Sequence, residues 1–157
     1  MASENRNNKP AFVYVSYIAT TPEKLWRALL DSELTKQYWF HRNVSDWNVG
    51  STWQHQDLDD ATKVNIVGKV LEVVPPRRLV ISWAFPTDAA NDAKHSRVTF
   101  EIEPILDAVR LTVTHDNLEP GSDMLRAISG GWPKVLSSLK SYLETGRGMP
   151  VASRRGH

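Results

Sequence analysis

Histidine, carboxylate and tryptophan side chains are the groups in this chain that could do chemistry, and their spacing supports very little of it. The five histidines, His41, His55, His95, His115 and His157, are dispersed and show none of the spacing that gathers ligands around a metal. No cysteine is present, so thiolate nucleophiles, disulfides and cysteine metal sites are excluded. Neither a glycine-rich phosphate loop nor a G-x-S-x-G elbow occurs, which leaves a bound nucleotide or a serine nucleophile without support. The densest polar run, His55-Gln56-Asp57-Leu58-Asp59-Asp60, lacks the ordered spacing of a calcium loop and reads as a solvated turn between strands. Glu72 and Glu101 have no partner at a defined distance, so no acid and base can be assigned. The expectation is no metal, no cofactor and no catalytic set.

What remains is His115 and an excess of indole rings. His115 shares strand parity with Leu111 and Val113, which would aim it at an interior where burial alters its protonation. Its neighbour Asp116 points to the opposite face, so adjacency alone makes no catalytic pair. The six tryptophans are Trp26, Trp39, Trp47, Trp53, Trp83 and Trp132, a high number for this length. Rings of that size fill cores or line pockets.

Positioning these residues falls first to the stretch from Ser122 to Gly146. Leu125, Ile128, Trp132, Val135, Leu136, Leu139 and Leu143 recur three or four residues apart and form one apolar stripe of a long helix. Gly130-Gly131-Trp132-Pro133 lies inside it, and two weak helix formers beside a breaker predict a bend or break there. Near the N-terminus, Phe12 to Ala19 reads as a strand, and Thr21-Pro22-Glu23 starts a first helix. A second short helix covers Glu33 to Trp39, after which the chain becomes irregular. Between Asn43 and Asp116 come six short segments separated by turn residues: Val44 to Trp47, Thr52 to Gln56, Lys63 to Val74, Leu79 to Phe85, Ser96 to Ile102 and Val109 to Asp116. Short connections make them an antiparallel meander. Leu79, Ile81, Trp83 and Phe85, then Val98, Phe100 and Ile102, then Leu111, Val113 and His115 each share a face for the long helix to cover. Ser82, Arg97, Thr99, Glu101, Arg110, Thr112 and Thr114 face the other way and suit solvent.

Length and charge bound the rest. A chain of 157 residues reads as one domain, 1–157, with its ordered part at about residues 11–146 between a polar N-terminal arm and a C-terminal tail lacking any apolar period. A net charge of +1 gives no reason to expect nucleic acid. The start of the chain is polar where a secretion signal is apolar, and no run approaches the ~20 apolar residues of a membrane span, so the expected location is cytoplasmic.

Strand, two helices, meander and closing helix follow the order of the helix-grip, or START-like, architecture. The chain resembles the SRPBCC superfamily, in its branch of bacterial proteins similar to the activator of heat-shock protein 90 ATPase. The residues carrying the resemblance are Thr21 to Leu29, Tyr38-Trp39-Phe40, Ser45-Asp46-Trp47 with Val49-Gly50-Ser51, Gly68 to Glu72 followed by Pro75-Pro76 and Leu79 to Trp83, and Gly131-Trp132 with Leu136 and Leu139. The resemblance implies an α+β fold: a curved antiparallel sheet, two short helices after the first strand, and the long C-terminal helix across the concave face. It implies no single function, because superfamily members range from lipid carriers to aromatase/cyclases to chaperone regulators.

The leading expectation is therefore a START-like protein binding an apolar or aromatic small molecule in a cavity bordered by Trp83, Phe85, Phe100, Val113, His115, Trp132 and Leu136. Two alternatives stand beside it. One is a polyketide cyclase/dehydratase-like enzyme in the same cavity with His115 as general acid or base. The other is a chaperone ATPase regulator that docks through its surface; the resemblance ties the ligand-binding reading, too, to stress or to chaperones. The chain would act as a monomer or homodimer.

Overall fold

The computed structural model describes residues 9–153; most of the polar arm, and the tail from Arg154, lie outside the described residues. Strand β1 (Phe12–Ile18) leads into helix α1 (Pro22–Leu30). Thr21 Oγ1 accepts the Lys24 amide at 3.2 Å, satisfying one of the donors that a helix start leaves open. Asp31 then serves two helices. Its backbone N–H closes α1 on the Arg27 carbonyl, while its carboxylate accepts the Glu33 amide at 2.9 Å and caps α2 (Ser32–Tyr38). Asp31, in extended conformation, is the single residue between the two helices.

Six further strands follow: β2 (His41–Ser45), β3 (Thr52–Asp57), β4 (Val64–Val74), β5 (Arg78–Trp83), β6 (Ser96–Ile105) and β7 (Ala108–Asp116). They form one antiparallel seven-stranded sheet in the order β1-β7-β6-β5-β4-β3-β2. Helix α3 (Asp123–Thr145) crosses the concave face, with Ser122 Oγ accepting the Leu125 amide at its start and Gly146 in the left-handed conformation (φ 87°) at its end. Ile128, Trp132, Val135, Leu136 and Leu139 of α3 are buried against Leu79, Ile81, Val98, Phe100, Leu111 and Val113 of the sheet. This is the helix-grip fold that the element order implies.

Several local expectations are corrected. The chain does not become irregular after Trp39: a positive φ of 60° at Phe40 turns it straight into β2, three residues ahead of the expected start at Val44. Trp47, expected in that strand, has φ 58° and belongs to the turn after it. Strand β5 stops at Trp83, so Phe85 lies beyond the sheet. Helix α3 runs through Pro133 without the expected break. Pro133 gives no N–H to the Ser129 carbonyl, yet buried residues on both sides of it hold the helix, so tertiary packing outweighs local propensity.

The outer face also differs from expectation, because Ser82 and Thr99 are buried. A register shift between Val70 and Glu72 distorts the β4–β5 pairing, and the Lys69 amide bonds the Ser82 hydroxyl at 2.8 Å. The same hydroxyl lies 2.9 Å from His95 Nδ1, while His95 Nε2 is 3.1 Å from the Ala89 carbonyl. Donating Nε2–H to that carbonyl leaves Nδ1 to accept the serine proton. This pair fastens the β5–β6 connection to the sheet. At the other end, residues past Gly146 pack although their composition predicts no packing. Ser138 Oγ donates to the Tyr38 carbonyl at 2.6 Å and accepts the Met149 amide at 2.7 Å, and the 3-10 turn Pro150–Ser153 places Ala152 in the core.

Candidate functional site

Strand alternation on β3 turns Trp53, His55 and Asp57 inward, which corrects the reading of a solvated turn for His55 to Asp57, while the chain does bend at Leu58 and Asp59, with Asp59 and Asp60 exposed. Asp57 is buried and its Oδ2 accepts the amides of Asp59 and Asp60 at 3.1 and 3.2 Å. His55 lies opposite Asn43 of β2, whose Oδ1 is 2.6 Å from Nδ1. With an amide oxygen as partner, Nδ1 carries the proton and Nε2 is left as an acceptor. His41 stacks on the same ring at 4.1 Å. Burial first, and the neighbouring His41 second, hold His55 well below the usual histidine range, so it is neutral.

Around this pair gather the indoles. Trp83 is central, its ring 5.3 Å from Trp53, 5.4 Å from Trp132 and 6.3 Å from Trp39. Trp39, at the end of α2, reaches His55 at 5.1 Å and Trp132 at 5.5 Å. Trp39, Trp83 and Trp132, with His41 and His55, wall a cavity of ≈ 260 Å³ between the sheet and α3, completed by Asn65, Ile66, Phe85 and the helical residues Met124, Ala127, Ile128, Gly131, Lys134 and Val135, with Ala152 beside them. Larger hollows exist on the outer face, including one of ≈ 650 Å³ beside Lys69, His95 and Arg97, but polar side chains dominate their walls. An aromatic wall with a few polar atoms is the composition of a small-molecule site.

Of the residues expected at a cavity, Trp83, Phe85 and Trp132 border this one. Phe85 does so from the rim, 36% exposed. Phe100, Val113, Leu136 and His115 lie in the packed core and do not border it. Phe100 meets Trp132 edge-on at 6.0 Å, and so supports the wall from behind.

His115 is fully buried and both ring nitrogens are engaged. Trp132 Nε1, which can only donate, lies 3.0 Å from Nδ1, so Nδ1 is unprotonated and Nε2 bears the hydrogen. Nε2 is 2.8 Å from the Ser96 hydroxyl, which donates onward to the Trp83 carbonyl at 2.9 Å. Burial pushes the pKa of His115 down to about 3, against a smaller opposing effect of Asp116. At neutral pH this imidazole is an uncharged tie between α3 and the sheet and has no free nitrogen for proton transfer.

Sequence reasoning missed Trp39, His41, His55, Ile66 and the helical positions Met124, Ala127, Gly131 and Lys134. Parity from Trp53 to His55 pointed inward, and Met124, Ile128, Gly131 and Val135 follow helical spacing, so a usable signal existed for part of the set. One atom stands apart. Trp83 Nε1 is the single buried side-chain nitrogen or oxygen among the described residues with no hydrogen-bond partner.

A curved sheet gripping one long helix, with an aromatic-walled cavity between them, defines a protein of the helix-grip, START-like class. Residues 19–144 match the family model described as Activator of Hsp90 ATPase homolog 1-like protein, and the chain belongs to that family. Among solved structures it is similar to the Aha1 dimer from Colwellia psychrerythraea, with 23% identity and a TM-score of 0.73 over 88% of this chain and 99% of that one. It is similar to the HSP90 activator PFC0360w of Plasmodium falciparum, at 22% identity and a TM-score of 0.71 over 85% of this chain and 95% of that one. Protein MLL2253 from Mesorhizobium loti is 28% identical, with a TM-score of 0.69 over 85% of this chain and 96% of its own. Comparison with curated proteins finds no match. No helix among the described residues is long and apolar enough to cross a membrane.

Proposed function

We propose that this chain binds a small, ring-containing apolar molecule in the cavity beneath α3 and releases it unchanged. The observation that carries this reading is the cavity itself, ≈ 260 Å³ walled by Trp39, Trp83 and Trp132 where a filled core would leave no such space. Gly131 supplies a direct test. It sits in the middle of the helical face that lines the cavity, and a Cβ added there meets nothing within 4 Å. An environment-sensitive apolar dye should bind saturably to the wild type. Gly131→Leu should abolish uptake while holding or raising stability, since leucine is the better helix former by about 0.8 kcal/mol. Dye uptake unaffected by a leucine at this position would sink the reading. The enzyme alternative gains nothing from His115, whose nitrogens are both bonded inside the core.

A second reading has its own observation. Val13, Val15 and Tyr17 alternate along the outer face of β1, at the edge of the sheet, and are 58%, 48% and 51% exposed. Such a strip suits surface docking on a protein, and the Plasmodium relative is named as an activator of HSP90. Chaperone regulation predicts that the protein raises the ATPase rate of an HSP90-type chaperone from its own host, and that Val15→Glu removes the effect. No change in that rate at saturating protein would refute it.

A further inference from the structure

Lys134 lies on the cavity-facing side of α3, half-buried, and makes no ion pair or hydrogen bond among the described residues. The other cations of this helix differ: Arg126 pairs with Asp123, and Lys140 lies 2.8 Å from Glu144. No aspartate or glutamate lines the cavity, and its remaining polar side chains are His41, His55 and Asn65. The cavity thus has an unbalanced positive charge at its wall, where partial removal from water strengthens attraction to an anion. An unsatisfied polar atom borders the same cavity. Trp83, 6% exposed and bordering the same cavity, holds a buried N–H with no acceptor, which costs about 1–3 kcal/mol unless an occupant supplies one. Size sets the remaining limit. A volume of ≈ 260 Å³ exceeds the ~150 Å³ that encloses a single benzene and falls below the ~300–1,000 Å³ of drug-sized sites, so it has room for one bicyclic ring system.

Resting on the ligand-binding reading above, we propose that the occupant is a small aromatic carboxylate. Its ring system packs among Trp39, Trp83 and Trp132, Lys134 balances its charge, and one of its oxygens accepts the Trp83 indole N–H. A cation is disfavoured at this site, and a neutral hydrocarbon leaves the Trp83 N–H unanswered and the Lys134 charge unbalanced.

Three probes of one shape separate these cases by calorimetry on the full chain: 2-naphthoate, neutral 2-naphthamide and cationic 2-naphthylmethylamine. Naphthoate should bind about tenfold more tightly than the amide, and the amine most weakly. Lys134→Met should erase the preference for naphthoate and leave the amide's affinity within about twofold, while Lys134→Arg keeps the preference. The Trp83 indole N–H resonance should move downfield when naphthoate binds. Equal binding of naphthoate and amide, or no effect of Lys134→Met on naphthoate, overturns the carboxylate assignment and leaves the ligand-binding reading standing. A Trp83 resonance that stays in place overturns the indole contact. Failure of all three probes to bind overturns both readings together.

Discussion

Acidification from pH 6.5 towards pH 3 should unfold this protein progressively, with His115 responsible for a large part of the loss. Its imidazole moves from an ordinary pKa of 6.5 in the unfolded chain to about 3 in the folded one. Between those values the unfolded state binds the extra proton, so stability is complete above pH 6.5 and declines as pH falls through the window. At ~1.4 kcal/mol per pH unit the loss is on the order of 4 kcal/mol, a large part of a domain's usual margin. The structural cause is that a proton on Nδ1 would confront the Trp132 N–H, with no acceptor left between them. His55, also held neutral by burial, adds to the slope in the same direction. Urea unfolding at pH 7, 5 and 4 measures the effect. His115→Gln can keep an acceptor for Trp132 and a donor for Ser96 without titrating, so it should flatten the curve. A wild type equally stable at pH 7 and pH 4 would show that the imidazole is not held as described.

Replacing Gly68 with alanine should be among the most damaging single changes in the molecule. Gly68 lies in β4 opposite Trp53, and a Cβ there would sit 1.9 Å from the Ser82 carbonyl oxygen and 2.4 Å from Trp53 Nε1. Those two atoms form the 2.8 Å hydrogen bond that ties β3 to β5 across this residue, so the methyl group displaces a backbone and a buried ring together. Overpacking of a backbone carbonyl belongs at or above the ~3 kcal/mol end of its range. Glycine within a strand is itself about 0.5–1 kcal/mol worse than alanine, so a large net loss isolates the clash. Thermal unfolding should show a markedly lower midpoint for Gly68→Ala. A change under ~1 kcal/mol would mean that the two strands separate without cost.

The architecture was legible because it rests on periodicities. The stripe from Leu125 to Leu143 and the alternation through Leu79 to His115 each report one buried face, and a sheet with one long helix is what buries them. A small part of the cavity wall, Trp83 and Trp132, was legible for the same reason. The rest depended on features without a local signature. Phe40 takes a positive φ that sequence does not announce for an aromatic residue, and this is what brings Trp39 and His41 beside His55. Ser82 reads as an outward polar residue until the displaced register of β4 and the fold of the Ala89 to His95 connection bury it. Leu136 and Phe100 have the right facing but lie one layer behind the cavity, because parity gives a side and says nothing about depth.

The clustering of the indoles also decides what light can report about this protein. Trp47 meets Trp53 at 6.5 Å, Trp53 meets Trp83 at 5.3 Å, and Trp83 is in turn within ring contact of Trp39 and Trp132, so among the tryptophans only Trp26 makes no such contact. Excitation absorbed by any of these five rings can pass to its neighbours before emission, and the near-ultraviolet transitions of stacked indoles couple. A single quencher placed in the cavity would then darken rings that it never touches, and the emission spectrum would follow the cavity's contents without an added label.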